Sequence, residues 1–306
     1  MKKIIVLLLC LLCLAACGAQ KAQEEDTQVV EEPIAYSFVA PSGAPALALL
    51  DLIDDENMTF DIVEGADVLQ AEFTSAKADV IVAPINLGAK LASATGNYKL
   101  AAVLTWGNLH LVSTVSAEEA AEAPVAAFGE AAVPGKVLGF LSDGLGAYEF
   151  EWYNAVNEAS AALLSGEYKS AVLAEPVLTM TRAKYEGELT ELVDIQELYK
   201  ETTGYDTYPQ AALFVNVKDT EDTAKLNTVL NAISSSIALY NSDSDALAAR
   251  IDEVDMSAMG FANGDLIKKA YSRMALNYVP AVECKDEIGT FLKIFGMELD
   301  EGIVLE

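Results

Sequence analysis

The sequence Ala40-Pro41-Ser42-Gly43-Ala44-Pro45-Ala46-Leu47-Ala48-Leu49-Leu50 contains two prolines, a glycine and a serine, which together predict a tight turn. The alternating apolar run Ala35–Ala40 before it favours a β-strand, and Ala46–Ile53 after it favours a helix. Pro45 suits the first turn of a helix, because its missing N–H would have no intrahelical partner there. Free backbone N–H groups at a helix start bind anionic or strongly dipolar groups. The stretch therefore predicts a strand, a tight turn and a helix, with a ligand-binding surface at the turn.

The same pattern recurs downstream, which strengthens the prediction. Three further strands and two further helices alternate after the first pair. The strands are predicted at Thr59–Val63, Ala78–Ala83 and Tyr98–Leu104, and the helices at Ala66–Ala76 and Asn86–Ala92. Strands that alternate with helices predict a parallel sheet covered on both faces, with ligands at the carboxyl ends of the strands.

A second α/β unit is predicted after Pro134 and Gly135, which follow a helix and loop over Ala117–Pro134. Its strands are predicted at Lys136–Leu141, Glu167–Ala174 and Leu189–Ile195, with helices at Ala147–Ser160 and from Pro176 onward. The apolar run Ala211–Val217 then predicts a strand that returns to the first unit. The remainder is predicted to be helical at Asp219–Tyr240, Ala246–Ile251, Asn263–Tyr271 and Lys285–Phe295.

The N-terminus has the features of a secretory signal. Lys2 and Lys3 precede the apolar run Ile4–Leu14, which is shorter than the roughly 20 residues that span a bilayer. We predict a signal peptide over residues 1–16, acylation of Cys17 and an acidic, disordered tether over 17–33. Only Cys284 would then remain as a free thiol, so no internal disulfide is expected.

The net charge is −28, and it becomes about −30 without Lys2 and Lys3, because 17 basic residues then face 47 acidic ones. Nucleic-acid binding requires a basic footprint and anionic lipid heads repel acidic surfaces, so we expect no nucleic-acid partner and no membrane contact beyond the lipid anchor. We expect a monomer.

Catalytic and metal-binding motifs are not recognisable. The single histidine, His110, lies in an apolar run and is predicted to be structural, and no G-x-S-x-G elbow accompanies it. Gly129–Lys136 departs from a phosphate-binding loop in spacing, and Asn241–Asp245 departs from a calcium loop at its sixth position. A helix capped by Ser242 or Asp243 explains the second stretch better. We predict no enzyme activity, no cofactor and no metal.

Several of these stretches together resemble one protein family. The sequence Leu14-Ala15-Ala16-Cys17 resembles a bacterial lipobox, and the turn at Ser42–Pro45, the run Ala78–Pro84 and the tripeptide Ala174-Glu175-Pro176 resemble extracytoplasmic solute-binding proteins of ABC importers. The nearest group is the nitrate/sulfonate/taurine and thiamine-precursor binding-protein family. The resemblance implies a periplasmic-binding-protein-like (type II) α/β fold. It has two lobes, a ligand cleft and two hinge crossovers, with lobe 1 at 34–114 plus 212–306 and lobe 2 at 115–211.

The resemblance also implies which residues line the cleft. They are Ser42, Gly43, Ala44, Asn86, Trp106, Asn108, Ser142, Asp143, Gly144, Glu175 and Tyr208. These loops contain no arginine or lysine, and Asp143 and Glu175 would repel an anion. Sulfonate or nitrate could still be held by backbone N–H groups, although the two acidic residues favour a neutral or cationic heterocycle stacked on Trp106. The ligand classes that the resemblance implies, a sulfonate, a nitrate or a thiamine-precursor-like heterocycle, all remain open.

The predicted function is that of a lipid-anchored, extracytoplasmic substrate-binding component that delivers a small molecule to an ABC permease. Two alternatives remain open from the sequence. One is an exported enzyme on the same fold, and the other is a sensory or adhesion lipoprotein.

Overall fold

Two β-sheets organise residues 34–306, which are the residues that the computed structural model describes. The predicted signal peptide, Cys17 and the tether lie outside these residues. The strands within 34–306 are β1 (Tyr36–Pro41), β2 (Met58–Val63), β3 (Val80–Pro84), β4 (Tyr98–Trp106), β5 (Leu109–Ser113), β6 (Val125–Phe128), β7 (Phe150–Tyr153), β8 (Ser170–Ala174), β9 (Thr190–Asp194), β10 (Pro209–Asn216) and β11 (Leu276–Pro280).

The helices in the same range cover the faces of these sheets. They are α1 (Ala44–Leu47), α2 (Ala66–Ser75), α3 (Ile85–Thr95), α4 (Ala117–Ala120), α5 (Val133–Phe140), α6 (Ser142–Leu145), α7 (Val156–Leu164), α8 (Val177–Lys184), α9 (Ile195–Thr203), α10 (Thr223–Ser242), α11 (Ser244–Glu253), α12 (Gly264–Ala270) and α13 (Lys285–Lys293). None of these helices combines the length and the apolar character needed to cross a membrane.

The first sheet has six strands in the order β11-β4-β10-β3-β1-β2. The pairs β1/β2 and β1/β3 are parallel, whereas β10 runs antiparallel to both of its neighbours. The returning strand β10 thus completes the first sheet, as the apolar run in the sequence predicts.

The second sheet has five strands in the order β7-β6-β8-β5-β9. Strand β6 is parallel to β7 and β8, and β5 is antiparallel to β8 and β9. The chain passes directly from β4 in the first sheet to β5 in the second through Gly107 and Asn108, and it returns from α9 to β10 through 204–208. The two-lobe α/β architecture with two crossovers is therefore confirmed.

The first crossover lies near Trp106–Asn108, as the sequence indicates, but lobe 1 ends before the predicted boundary at residue 114. The strand at Leu109–Ser113 was expected to end lobe 1, but it pairs with β8 and β9 of the second sheet. Only two residues separate β4 from β5, so the change of sheet occurs at Gly107 and Asn108. We use lobe 1 and lobe 2 below for the parts of the chain built on the first and second sheets.

Apolar clusters fill both faces of the sheets. One buried cluster joins α2, α3, α13 and the crossovers and includes Phe73, Phe214 and Phe291. A second cluster packs α1, α10 and α11 on the other face of the first sheet. A smaller third cluster packs α7 and α8 on the second sheet. These cores hold the strand ends, and with them the loops of the site, in fixed positions.

Several predicted elements in lobe 2 are wrong. The predicted strand Lys136–Leu141 is helix α5, because Pro134 stands at its first turn and Val137 and Leu138 form its buried face. The predicted helix Ala147–Ser160 is instead strand β7 followed by α7. Glu158 accepts hydrogen bonds from the N–H groups of Asn154 and Ala155, which places the start of α7 after the aromatic residues of β7.

Three other parts of the chain also differ from the prediction. The expected helix and loop over Ala117–Pro134 contain the short helix α4 and the strand β6. The helix after the opening turn is only four residues long and continues as turns, and β11 was not predicted. The helix after Ser242 is capped by Asp243, whose carboxylate accepts from the N–H groups of Asp245 and Ala246, as predicted.

Candidate functional site

A cavity of about 450 Å³ lies between the two lobes. Lobe 1 contributes the turn that follows β1 and the end of β3, and lobe 2 contributes the ends of β6 and β8. It is lined by Ser42, Gly43, Ala44, Pro45, Pro84, Thr105, Asn108, Leu109, Phe128, Val133, Pro134, Val156, Asn157, Ala174, Glu175, Pro176, Val177, Met180, Gln210, Ala211, Gly260 and Phe261. The cavity therefore sits at the carboxyl ends of parallel strands from both sheets, where open α/β sheets bind ligands.

The opening turn forms the lobe 1 side of the cavity. Gly43 has φ 91°, a left-handed conformation that glycine adopts without a Cβ clash, and its N–H donates to the carbonyl of Met259 at 3.1 Å. Gly260, with φ 86°, approaches so closely that a Cβ there would lie 2.8 Å from that of Ser42. The Ser42 hydroxyl donates to Glu64 at 2.5 Å. The turn is thus held in place by the segment around Met259 and Gly260.

Aromatic and aliphatic side chains from both lobes line the cavity. Phe128 at the end of β6 belongs to lobe 2, and Phe261, which is 7% exposed, belongs to lobe 1. Met180 of α8 and Val156 of α7 extend the apolar surface on the lobe 2 side. These side chains suit the flat, apolar faces of a small organic molecule.

Glu175 supplies the one ionisable side chain among the described residues that line the cavity. Its side chain is fully buried, and Oε1 accepts from Nε of Arg273 at 2.7 Å. Its Oε2 accepts from the N–H of Thr179 at 3.0 Å and from the hydroxyl of Thr179 at 2.7 Å. Nη2 of Arg273 donates to the same hydroxyl oxygen. Both carboxylate oxygens are therefore occupied, and the charge of Glu175 is paired.

The crossovers place two amide side chains at the cavity. Nδ2 of Asn108 donates to the carbonyl of Glu175 at 3.3 Å, and Nε2 of Gln210 lies 3.4 Å from Oδ1 of Asn108. Gln196 braces the first crossover, since its amide exchanges hydrogen bonds with the N–H and C=O of Leu109 at 3.1 and 3.0 Å. Hinge residues thus also serve as polar groups of the cavity.

Five of the eleven residues predicted to bind ligand lie on the cavity: Ser42, Gly43, Ala44, Asn108 and Glu175. Asn86 lies in the first turn of α3, two residues after the lining residue Pro84, and does not itself line the cavity. Its Oδ1 is buried without a hydrogen-bond partner among the described residues.

The structure does not bring Ser142, Asp143 and Gly144 to the cavity. They were expected to form a loop after a strand, but that strand is helix α5, and all three are exposed in the following helix α6. A Cβ on Gly144 would meet the side chain of Leu198, so this segment packs toward α9 instead. The expectation that Asp143 would repel an anion in the cleft is therefore removed.

Trp106 and Tyr208 also lie away from the interlobe cavity. Nε1 of Trp106 donates to the carbonyl of Asn277 at 2.9 Å, and its ring borders a second cavity of about 410 Å³. Tyr208 is fully buried and stacks on Phe291 with the ring centroids 5.6 Å apart. Trp106, the stacking surface predicted for a heterocycle, therefore does not line the interlobe cavity, whose aromatic lining residues are Phe128 and Phe261.

Sequence reasoning missed the residues that come from unpredicted elements. Phe128 ends the unpredicted strand β6, and Phe261 and Gly260 lie in an irregular loop with no motif to mark them. Arg273 lies 98 residues from Glu175, so no spacing rule could have paired them. Gln210, in contrast, stands next to the predicted second crossover.

Two other polar side chains have structural surroundings. Nδ1 of His110 lies 2.6 Å from Oε1 of Glu191 on the neighbouring strand β9, which agrees with a structural histidine. Cys284 is 2% exposed, and burial raises the pKa of its thiol to about 12. Within residues 34–306, no three His, Cys, Asp or Glu side chains are grouped as metal ligands would be.

Solved structures of solute-binding proteins share this arrangement of sheets. An ABC transporter protein from Parabacteroides distasonis is 22% identical, with a TM-score of 0.75 over 90% of this chain and 99% of that one. The periplasmic aliphatic sulphonate binding protein SsuA of Escherichia coli is 13% identical, with a TM-score of 0.64 over 90% and 93%. The chain has their fold. The type II periplasmic-binding-protein-like architecture expected from the sequence is thereby confirmed.

A third structure shows the same likeness at lower identity. The alkanesulfonate-binding protein SsuA of Xanthomonas axonopodis pv. citri, bound to MOPS, is 11% identical, with a TM-score of 0.59 over 90% of this chain and 99% of that one. No protein-family model and no curated protein sequence matches the chain. The likeness therefore establishes the fold, while the ligand has to be argued from the cavity.

Proposed function

We propose that this chain is the substrate-binding component of an ABC importer and captures a small, neutral organic molecule between its lobes. In this proposal Cys17 carries a lipid that holds the protein at the outer face of the membrane. The loaded, closed form then docks on a permease. Hinge closure around a ligand is the motion that two lobes joined by two short crossovers allow.

The interlobe cavity is the observation that carries the proposal. It is lined by residues of both lobes, it lies at the ends of the parallel strands, and its volume of about 450 Å³ falls in the range of small-molecule sites. Contacts to both lobes would form only in the closed state, so a ligand would shift the equilibrium by its higher affinity for that state.

The lining supports a neutral ligand better than an anion. Among the described residues it includes no lysine, arginine or histidine, and the charge of its one carboxylate is paired with Arg273. Two phenyl rings offer apolar faces, while the amides of Asn108 and Gln210 and the hydroxyl of Thr105 offer hydrogen bonds. A heterocycle with amide-like or hydroxyl groups matches this lining, and a sulfonate or nitrate would lack a charged partner.

Native mass spectrometry of the purified full chain tests the proposal by identifying any small molecule that the protein retains. A thermal-shift experiment with that molecule follows. A ligand at 100 times its Kd should stabilise the folded state by about 2.7 kcal/mol, because it binds the native state and not the unfolded one. The proposal fails if no small molecule is retained and a broad metabolite library leaves the melting temperature unchanged.

Two phenylalanine variants locate the binding site. Phe128→Ala should weaken binding about tenfold, because an aromatic contact of this kind contributes about 0.5–1.5 kcal/mol beyond its buried area. Phe140→Ala is the matched control, since Phe140 is 41% exposed and outside the cavity. Equal losses for the two variants, measured by calorimetry, would place the ligand elsewhere.

A further inference from the structure

The ion pair between Glu175 and Arg273 joins the two lobes. Glu175 follows β8 of lobe 2, whereas Arg273 lies in a short 3₁₀ turn between α12 and β11 of lobe 1. The Arg273 side chain is 40% exposed, and the Glu175 side chain is fully buried. Among the ion pairs of residues 34–306 it is the one that connects lobe 1 to lobe 2.

The hydrogen bonds around this pair depend on the lobes being together. Arg273 donates through Nε to the carboxylate and through Nη2 to the hydroxyl of Thr179, so one guanidinium bridges two residues of lobe 2. Separation of the lobes would remove both donors at once. Glu175 would then keep only the N–H and hydroxyl of Thr179, and a carboxylate without its cation is costly unless water reaches it.

The same pair sets the charge of the cavity. Glu175 is a lining residue, so without Arg273 its carboxylate would present a full negative charge to any bound molecule. With Arg273 in place, the two charges cancel and the wall presents neutral groups. The charge that Glu175 presents to a bound molecule therefore depends on whether Arg273 is paired with it.

We propose that Arg273 is a positioning residue that latches lobe 1 to Glu175 of lobe 2 and makes the cavity selective for neutral rather than cationic ligands. This proposal rests on the proposed small-molecule capture, and it names the charge class of the substrate. The latch itself requires no ligand and can be measured on the ligand-free protein.

Four variants separate the ion pair from other effects. Arg273→Gln removes the cation, and Arg273→Lys keeps the charge without the planar fork that reaches two acceptors. Glu175→Gln/Arg273→Gln removes both charges. Arg182→Gln is the matched control, because Arg182 lies on α8 and faces Glu191 of its own lobe at 3.9 Å, with 36% of its side chain exposed.

Hydrogen exchange of the ligand-free full chain measures the latch. Arg273→Gln should speed exchange several-fold in the walls of both lobes, at 42–47 and 133–140, because the lobes separate more often. Arg182→Gln should leave both segments unchanged, and Arg273→Lys should fall between the wild type and Arg273→Gln. Unchanged exchange in Arg273→Gln, with the fold intact by circular dichroism, would overturn the latch.

A pair of near-isosteric probes measures the charge selectivity. Benzamide is neutral and benzamidinium is a cation of nearly the same shape. Benzamidinium should bind Arg273→Gln about tenfold tighter than it binds the wild type, because the uncovered Oε1 of Glu175 can accept a charge-assisted hydrogen bond. Benzamide should bind Arg273→Gln no more tightly than it binds the wild type. Benzamidinium should bind the Glu175→Gln/Arg273→Gln variant no more tightly than it binds the wild type.

The outcomes distinguish this proposal from the proposed function. No benzamidinium gain in Arg273→Gln would overturn the selectivity role, even if the wild type carries a ligand. Conversely, a protein that retains no small molecule but shows the exchange and benzamidinium effects would support the latch and count against transport.

Discussion

At the scale of single residues, a group of charged side chains lies at the amino end of β3, far along the strand from the cavity. The carboxylate of Asp79 lies 2.9 Å from Nζ of Lys218 and accepts two hydrogen bonds from Ser37. Burial opposes ionisation of Asp79, but the bonds from Lys218 and Ser37 outweigh it and hold its pKa below the usual value. Burial and the nearby charge of Asp79 raise the pKa of Asp219 to about 6.

This raised pKa predicts a pH-dependent effect of Asp219→Asn. A folded-state pKa above the unfolded value means that folding favours the protonated form, so Asp219 lowers stability as pH rises through about 4 to 6. Asp219→Asn should therefore melt at a higher temperature than the wild type at pH 8, and the difference should vanish near pH 4. Thermal unfolding across this range checks it, with Asp61→Asn, exposed on the edge strand β2, as the control. A gain that is the same at both pH values would refute the assignment.

At the scale of elements, the strand-turn-helix units of lobe 1 could be predicted from the sequence because strong local signals coincide there. Alternating apolar runs end at proline and glycine, and the helices that follow carry small residues on one face. The segment 117–160 could not be predicted, because its alanine-rich strand β6 has the composition of a helix. Pairing with β7 and β8 overrides that local preference, and a tertiary effect of this kind leaves no trace in local periodicity.

A glycine-to-alanine substitution should have opposite effects on stability in helices α3 and α13. A Cβ on Gly88 of α3 would overlap the ring of Phe214 on β10, whereas a Cβ on Gly289 of α13 would meet nothing within 4 Å. Gly88→Ala should destabilise the fold by about 1–3 kcal/mol through overpacking. Gly289→Ala should stabilise it by about 0.5–1 kcal/mol, because alanine loses less backbone entropy in a helix. Urea unfolding measures both, and a stabilising Gly88→Ala would contradict the close packing of α3 on β10.

At the scale of the whole molecule, the sequence predicted the half of the site that lies next to strand ends and missed the half that depends on how the lobes meet. Ser42, Gly43 and Glu175 follow recognisable strands. Arg273 reaches Glu175 only because α12 packs beside α8, and contacts across a lobe interface cannot be derived from spacing. Trp106 was misplaced for a related reason, since its indole turns to the carbonyl of Asn277 on β11.

Gly107 lies in the first crossover and contacts Tyr208 at the second, so a side chain at Gly107 should disturb both crossovers. Its N–H donates to the carbonyl of Tyr208 at 2.9 Å, and a Cβ there would lie 2.6 Å from the Tyr208 ring. Gly107→Ala should push the two crossovers apart, loosen the cavity and weaken ligand binding by about tenfold, because small displacements of packed groups disrupt a preformed site. Calorimetry measures the loss, and Gly139→Ala, where a Cβ meets nothing within 4 Å, is the control. Undiminished affinity in Gly107→Ala would show that the crossovers move independently of the cavity.

The buried Cys284 has a practical consequence for studies of this protein. Its thiol is the only one between residues 34 and 306, and with a pKa of about 12 it remains protonated at neutral pH. The thiolate is the reactive form, so maleimide and iodoacetamide dyes will not label Cys284. A cysteine introduced at the rim of the cavity, for example at Asn157, would then be the single attachment point in this segment for an environment-sensitive fluorophore. The protein is thus already suited to conversion into an optical reporter of the solute that we propose it binds.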